Sequence, residues 1–274
     1  MTFLDKLNKA IAKNNSLICI GLDTDLNKIP KHLLKENDPI FAFNKNVIDA
    51  THDLVCAYKP NMAFYEAYGA KGLNSLKKTV DYLKTKYPHI PTICDAKRAD
   101  IGSSSKKYAE SVFKYFMFDS ITVNPYLGTD SLTPFLEYKE KGIIILCKTS
   151  NSGSSDFQDL KVGKDKMYVK VAKQIIKWHK TYKNCLMVIG ATFPYEIKEI
   201  RKLTDNIFFL VPGIGSQGGY TEKTVKYGLN LKNTGLIINV SRAIIYADNG
   251  IDFSSKIRLK TIEYINLVNK YRNG

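Results

Sequence analysis

The sequence has no long apolar run. Nowhere in its 274 residues do the roughly 18 consecutive apolar positions of a membrane span occur. The opening stretch, residues 1–15, is amphipathic and carries Asp5, so it does not read as a signal peptide. Histidine is scarce. His32, His52, His89 and His179 are spaced too widely for a zinc motif and lie in helix-like or turn-like segments. The five cysteines, Cys19, Cys56, Cys94, Cys147 and Cys185, include no CxxC pair. Each sits in or beside an apolar run, the pattern of buried free thiols in a reducing compartment, so a cytoplasmic protein is expected. No internal period or linker-like segment divides the chain, and a single domain over 1–274 is expected.

Acidic side chains are also in short supply. Lys and Arg number 41 against 26 Asp and Glu, a net charge of +15. A nucleic-acid binder would cluster that excess with exposed aromatics. Here lysines are scattered through every helical stretch and no five basic residues run together. The excess reads as a solvated lysine-rich surface, with an anionic small substrate as a second contributor.

What is present is alternation. Eight apolar runs, at 16–23, 54–61, 92–97, 120–125, 142–150, 186–192, 207–215 and 235–241, are rich in Ile, Val and Leu and end in polar residues, Gly or Pro. They read as strands buried on both faces. Helical periodicity fills the segments 65–87, 164–183 and 254–272, while 220–234 is poorly periodic. Eight such units predict an α/β fold, a (β/α)₈ TIM barrel, with a doubly wound open sheet as the alternative.

A barrel carries its chemistry at the C-terminal strand ends. Those ends read Asp23; Lys59 and Asn61; Asp95 and Lys97, then Asp100; Asn124; Lys148, Thr149, Ser150 and Asn151; Gly213, Gly215 and Gln217; and Asn239, Ser241 and Arg242. Lys59 and Asn61 are two apart, as are Asp95 and Lys97, so each pair is expected to share a strand face. Facing inward, such charges must alternate and neutralise one another or a ligand. A structural ion-pair network is the plainer alternative. The segment GIGSQGG (213–219) contains G-x-G-x-x-G but follows the seventh strand. In a barrel that place suits a phosphate cup made by glycine N–H groups, Gln217 and Arg242. The polar loop 151–166 reads equally as a lid or as passive surface. SSSK at 103–106 reads as a helix N-cap.

The segment DAKRADIGSS (95–104) resembles the signature of the orotidine 5′-monophosphate decarboxylase family. GLDTD (21–25), YKPNMAFYE (58–66), TVNPYLG (122–128), LCKTSN (146–151), VPGIGSQGG (211–219) and NVSRAIIYA (239–247) agree with it in order. The wording resembles the family's longer-chain branch. The resemblance implies a homodimeric barrel that converts orotidine monophosphate to uridine monophosphate and CO₂, with no metal and no organic cofactor. It implies that Lys59, Asp95, Lys97 and Asp100 form an alternating charged array, with Asp100 reaching into the partner subunit's site and Lys97 protonating C6. Asp23, Lys59 and Asn61 would hold ribose hydroxyls, with Ser104 near the ribose across the dimer. Thr149 and Ser150 would meet the pyrimidine, and Gln217 and Arg242 the phosphate. Asn124, at the fourth strand end, is a further candidate for substrate binding. A magnesium-dependent sugar-phosphate barrel is the competing enzyme class, but no Glu ends a strand.

Overall fold

The computed structural model describes residues 1–214 and 220–272. Its eight barrel strands are β1 (Ile18–Gly21), β2 (Ala57–Lys59), β3 (Ile93–Arg98), β4 (Ser120–Val123), β5 (Gly142–Lys148), β6 (Cys185–Ile189), β7 (Phe209–Pro212) and β8 (Leu236–Val240). All neighbours pair in parallel, in the order β2-β1-β8-β7-β6-β5-β4-β3. Two isolated bridges, Tyr58 to Thr92 and Asn61 to Asp95, join β2 to β3 and complete the ring. The expected barrel is therefore the observed one, and the open sheet is set aside.

Strand cores such as Ile18–Ile20 and Ile143–Ile145 are buried, as the unbroken apolar runs require. The helices Pro39–Thr51, Gly69–Lys86, Met167–Tyr182 and Phe253–Arg272 present buried stripes to this ring. Gly69, with φ +59°, breaks the expected 65–87 helix after a short turn, Met62–Glu66. The poorly periodic stretch after β7 forms only the eight-residue helix Thr221–Gly228. Loop 151–166 has structure of its own: a 3₁₀ turn at Ser152–Ser154, the short helix Ser155–Gln158, and a ribbon pairing Lys161–Val162 with Asp165–Lys166.

The opposite end of the barrel is closed by the helix Phe3–Asn14. Thr2 and Asp5 form a capping box at its start. Phe3 packs where Gly142 has no side chain, a place where a Cβ would lie 2.3 Å from the ring. Lys6 Nζ meets Asp119 Oδ2 at 2.7 Å, and Asp119 also accepts from Thr92 N. Charge at this end thus ties elements together, which leaves the other end for chemistry. All five cysteines are buried and free, and burial pushes the Cys19 and Cys185 thiols up to about 12. They are protonated, small apolar fillers. Among the described residues no helix is long and apolar enough to cross a membrane.

Candidate active site

A cavity of about 540 Å³ opens at the C-terminal ends of the strands. That is the size of a site for one small molecule. Its floor is charged. Lys59, the last residue of β2, is 3% exposed, and its Nζ lies 2.9 Å from Asp95 Oδ2. Lys97 Nζ approaches the other oxygen, Asp95 Oδ1, at 2.7 Å. Thr122, on β4, donates to that same oxygen at 2.8 Å. One carboxylate therefore sits between two ammonium groups, in the order plus, minus, plus.

The strand alternation expected at β3 is replaced by a kink. Pairing with β4 shifts register between Cys94 and Arg98, and Lys97 takes a left-handed backbone, φ +48°. A non-glycine residue held there costs roughly 1–3 kcal/mol and must be held in place by its surroundings. Lys97 N donates to Thr122 Oγ1 at 2.9 Å, which supplies part of that restraint. The kink aims the Lys97 side chain at the open mouth, where it is half exposed while Asp95 stays buried.

Burial alone would raise the Asp95 carboxyl, but Lys59 and then Lys97 pull it well below the usual carboxylate range. Burial alone would lower the Lys59 ammonium, but Asp95 and Asp23 outweigh it and raise it. Asp95 and Lys59 thus hold each other charged. Beside Lys59, past the ends of the paired strands β1 and β8, Ser241 Oγ lies 2.7 Å from Asp23 Oδ2. Among the described residues, the buried Asp23 Oδ1 has no hydrogen-bond partner, and Asn239 Oδ1 is in the same condition. Both line the cavity and offer acceptors to a ligand's hydroxyl groups.

Other residues expected in the site distribute as follows. Asn61, Thr149, Ser150, Gly213 and Arg242 all line the same cavity. Asn61 Oδ1 also accepts from Ala63 N and starts a helical turn. Gly213 has φ +106°, which only glycine adopts readily. Gly215 and Gln217 lie outside the described residues. Asp100 is not among the lining residues of its own mouth, and its Oδ1 accepts from Ile101 N. Ser104 is exposed on the helix Gly102–Glu110, likewise off the mouth. Asn124 does not reach the cavity either. Its Oδ1 accepts from Tyr126 N and shapes the turn after β4, because an Asn at a strand end competes readily for the next free N–H. The expected SSSK cap is also absent: Ile101 precedes the helix without a side-chain cap, and Ser105 donates to Ser131 O on the neighbouring helix.

Sequence reasoning passed over Thr122 and, as site members, Asn239 and Ser241. Thr122 had a signal, since it stands one residue before the end of β4 and shares a strand face with Ser120 and with the candidate Asn124. Among the described residues no group of three or more His, Cys, Asp or Glu is placed to hold a metal ion.

Comparison with known proteins places this geometry. A family model described as orotidine 5′-phosphate decarboxylase / HUMPS family matches residues 16–254. A protein of Cellvibrio japonicus called orotidine 5′-phosphate decarboxylase is 49% identical over 274 residues, 99% of this chain and 100% of the relative. Its counterpart in Christiangramia forsetii is 51% identical over 249 residues, covering 91% of each chain. Among solved structures, OMP decarboxylase of Leishmania donovani superposes with a TM-score of 0.87 at 35% identity over 100% of both chains. UMP synthase of the same organism gives 0.88 at 37% identity, with 99% of this chain covering 57% of that longer one. The chain belongs to the orotidine 5′-phosphate decarboxylase / HUMPS family.

Proposed function

We propose that this protein, acting as one barrel domain over 1–274, is a cytoplasmic orotidine 5′-phosphate decarboxylase of pyrimidine biosynthesis. The observation that carries the reading is the Lys59–Asp95–Lys97 alternation at the barrel mouth, in a chain half identical to relatives of that name.

Breaking the bond between C6 and the carboxylate releases CO₂ and leaves the electron pair on C6, a ring carbon with no carbonyl placed to take it up. The protein must then stabilise a localised carbanion by fixed charge. Lys97 is the group for this. Its ammonium stabilises the growing negative charge and then gives a proton to C6, after which solvent reprotonates the amine. Asp95 orients the Lys97 ammonium. A carboxylate beside the departing one raises the energy of the bound substrate, a role that Asp95 shares with Asp100 of a second subunit. Two ammonium groups around one carboxylate repel a divalent cation, so neither metal nor organic cofactor is assigned.

Binding follows the rest of the cavity. Asp23, with its unpartnered Oδ1, takes a ribose hydroxyl beside Lys59 and Asn61. Thr149 and Ser150 face the pyrimidine. Gly213, Gly215, Gln217 and Arg242 hold the phosphate, whose remote binding energy can be used in the transition state. Ile101, next to Asp100, and Tyr126 and Leu127, just past the neighbouring strand β4, are exposed apolar side chains. Such a patch suits burial against a second copy, carrying Asp100 and Ser104 to the partner's substrate.

The test is conversion of orotidine monophosphate, followed by loss of orotate absorbance in EDTA, for the wild type and Lys97→Ala. The wild type is expected to turn over undiminished by EDTA. The variant should stay folded and lose at least about 4 kcal/mol of transition-state stabilisation, about a thousandfold in kcat. Activity that vanishes on chelation and returns with Mg²⁺ would favour sugar-phosphate chemistry. A variant near wild-type kcat would make Lys97 structural.

A further inference from the structure

Lys148, the last residue of β5, has no part in the chemistry just described, yet its side chain is fully buried. Its Nζ lies 2.8 Å from Asp159 Oδ2 and 3.1 Å from Ser154 Oγ. It also stands 4.3 Å above the centre of the Phe193 ring, on the loop after β6. Burying an ammonium costs several kcal/mol unless such partners compensate it. An apolar residue would have filled the position without that cost.

What the ammonium holds is the loop that supplies Thr149 and Ser150 to the cavity. Ser154 and Asp159 lie farther along that loop, so Lys148 draws it back onto its own starting point. The same closure recurs in the backbone. Thr149 N donates to Gln158 Oε1 at 2.9 Å, and Gln158 Nε2 returns a bond to Thr149 Oγ1 at 2.8 Å. Ser150 O accepts from Thr192 Oγ1 at 3.1 Å. Gly190 admits Ser150 so closely that a Cβ there would lie 2.6 Å from Ser150 Cα.

We infer that Lys148 is a positioning residue: its buried ammonium, clamped between Asp159, Ser154 and the Phe193 ring, fixes the loop after β5 so that Thr149 and Ser150 meet the base of the bound nucleotide. The inference rests on the nucleotide reading of the cavity. It separates the base end of the site from the phosphate end, because the partners of Lys148 lie on the loops after β5 and β6, whereas Gly213 and Arg242 follow β7 and β8.

The experiment compares binding of uridine monophosphate, which reaches both ends, with ribose 5-phosphate, which lacks the base. The variants are Lys148→Met, Lys148→Arg and Asp159→Asn. Asp159 is partly exposed and its Asn replacement can still accept a hydrogen bond from Lys148, so Asp159→Asn serves as the second variant should Lys148→Met fail to fold. Lys148→Met and Asp159→Asn should weaken uridine monophosphate by about tenfold or more, since small misplacements in a site carry costs of that order. Ribose 5-phosphate should bind within about twofold of wild type, and Lys148→Arg should restore most of the loss because the charge is kept. Equal losses for both ligands, or a fall in melting temperature with unchanged nucleotide affinity, would overturn the positioning role. Wild-type protein that binds uridine monophosphate but does not decarboxylate orotidine monophosphate would refute the proposed function while leaving this comparison readable.

Discussion

Asp95 carries the heaviest electrostatic load of any side chain in the site, because it alone separates Lys59 from Lys97. Its carboxyl is held well below the ordinary range, so it contributes stability above the unfolded value of about 3.9, lost as pH falls toward the folded one. The Lys59 ammonium is raised, so its contribution is complete below the unfolded value of about 10.4 and lost as pH rises through the folded one. The pair therefore stabilises the fold over the window between. Replacing Asp95 by Asn leaves a buried ammonium with Asp23 alone, and should cost about 3–5 kcal/mol at neutral pH. Denaturant unfolding of both proteins across pH checks this. The difference should be flat from about pH 5 to 9 and narrow on either side. A difference independent of pH would mean that Asp95 acts by packing or hydrogen bonding to Thr122.

At the scale of elements, the strands follow from sequence because both faces are buried, so composition alone marks them. The strand ends are less legible. Two-residue spacing correctly brings Asp95 and Lys97 together, but through a kink in which Lys97 adopts φ +48°, a feature with no glycine to announce it. Asn124 and Asn61 both accept from the N–H two residues on, yet only Asn61 lines the cavity, a difference that spacing does not reveal. Thr122 escapes because its partner Asp95 is distant in sequence, and Lys148, though legible as a strand end, gains its contacts from Asp159 and Phe193, which spacing does not bring together. In the proposed site the phosphate meets Gly213, just past β7, and Arg242, which opens the helix Arg242–Ile245 after β8. Loss of a bidentate guanidinium grip in Arg242→Ala should cost roughly 2–4 kcal/mol in kcat/KM. With orotidine in place of its monophosphate, the loss should shrink. An equal loss with both substrates would remove Arg242 from the phosphate site.

For the whole molecule, the eightfold alternation makes the barrel readable, but its closure is not: the ring is completed by only two isolated bridges between β2 and β3. The net charge of +15 is likewise uninformative about the site, since many lysines lie in exposed pairs such as Lys226 with Glu222 and Lys107 with Glu110. Such pairs are worth little individually. The central claim is that the charged array is completed by Asp100 across a twofold interface, and hybrid dimers test it directly. Lys97→Ala and Asp100→Asn, each nearly inactive, are unfolded and refolded together. In a hybrid, one site takes both defects, and the other takes intact Lys97 from one chain and intact Asp100 from the other. Random pairing makes about half the dimers hybrid, so decarboxylation should recover to about a quarter of the wild-type rate. A mixture that remains as inactive as its parents, with hybrids shown to have formed, would contradict the shared site.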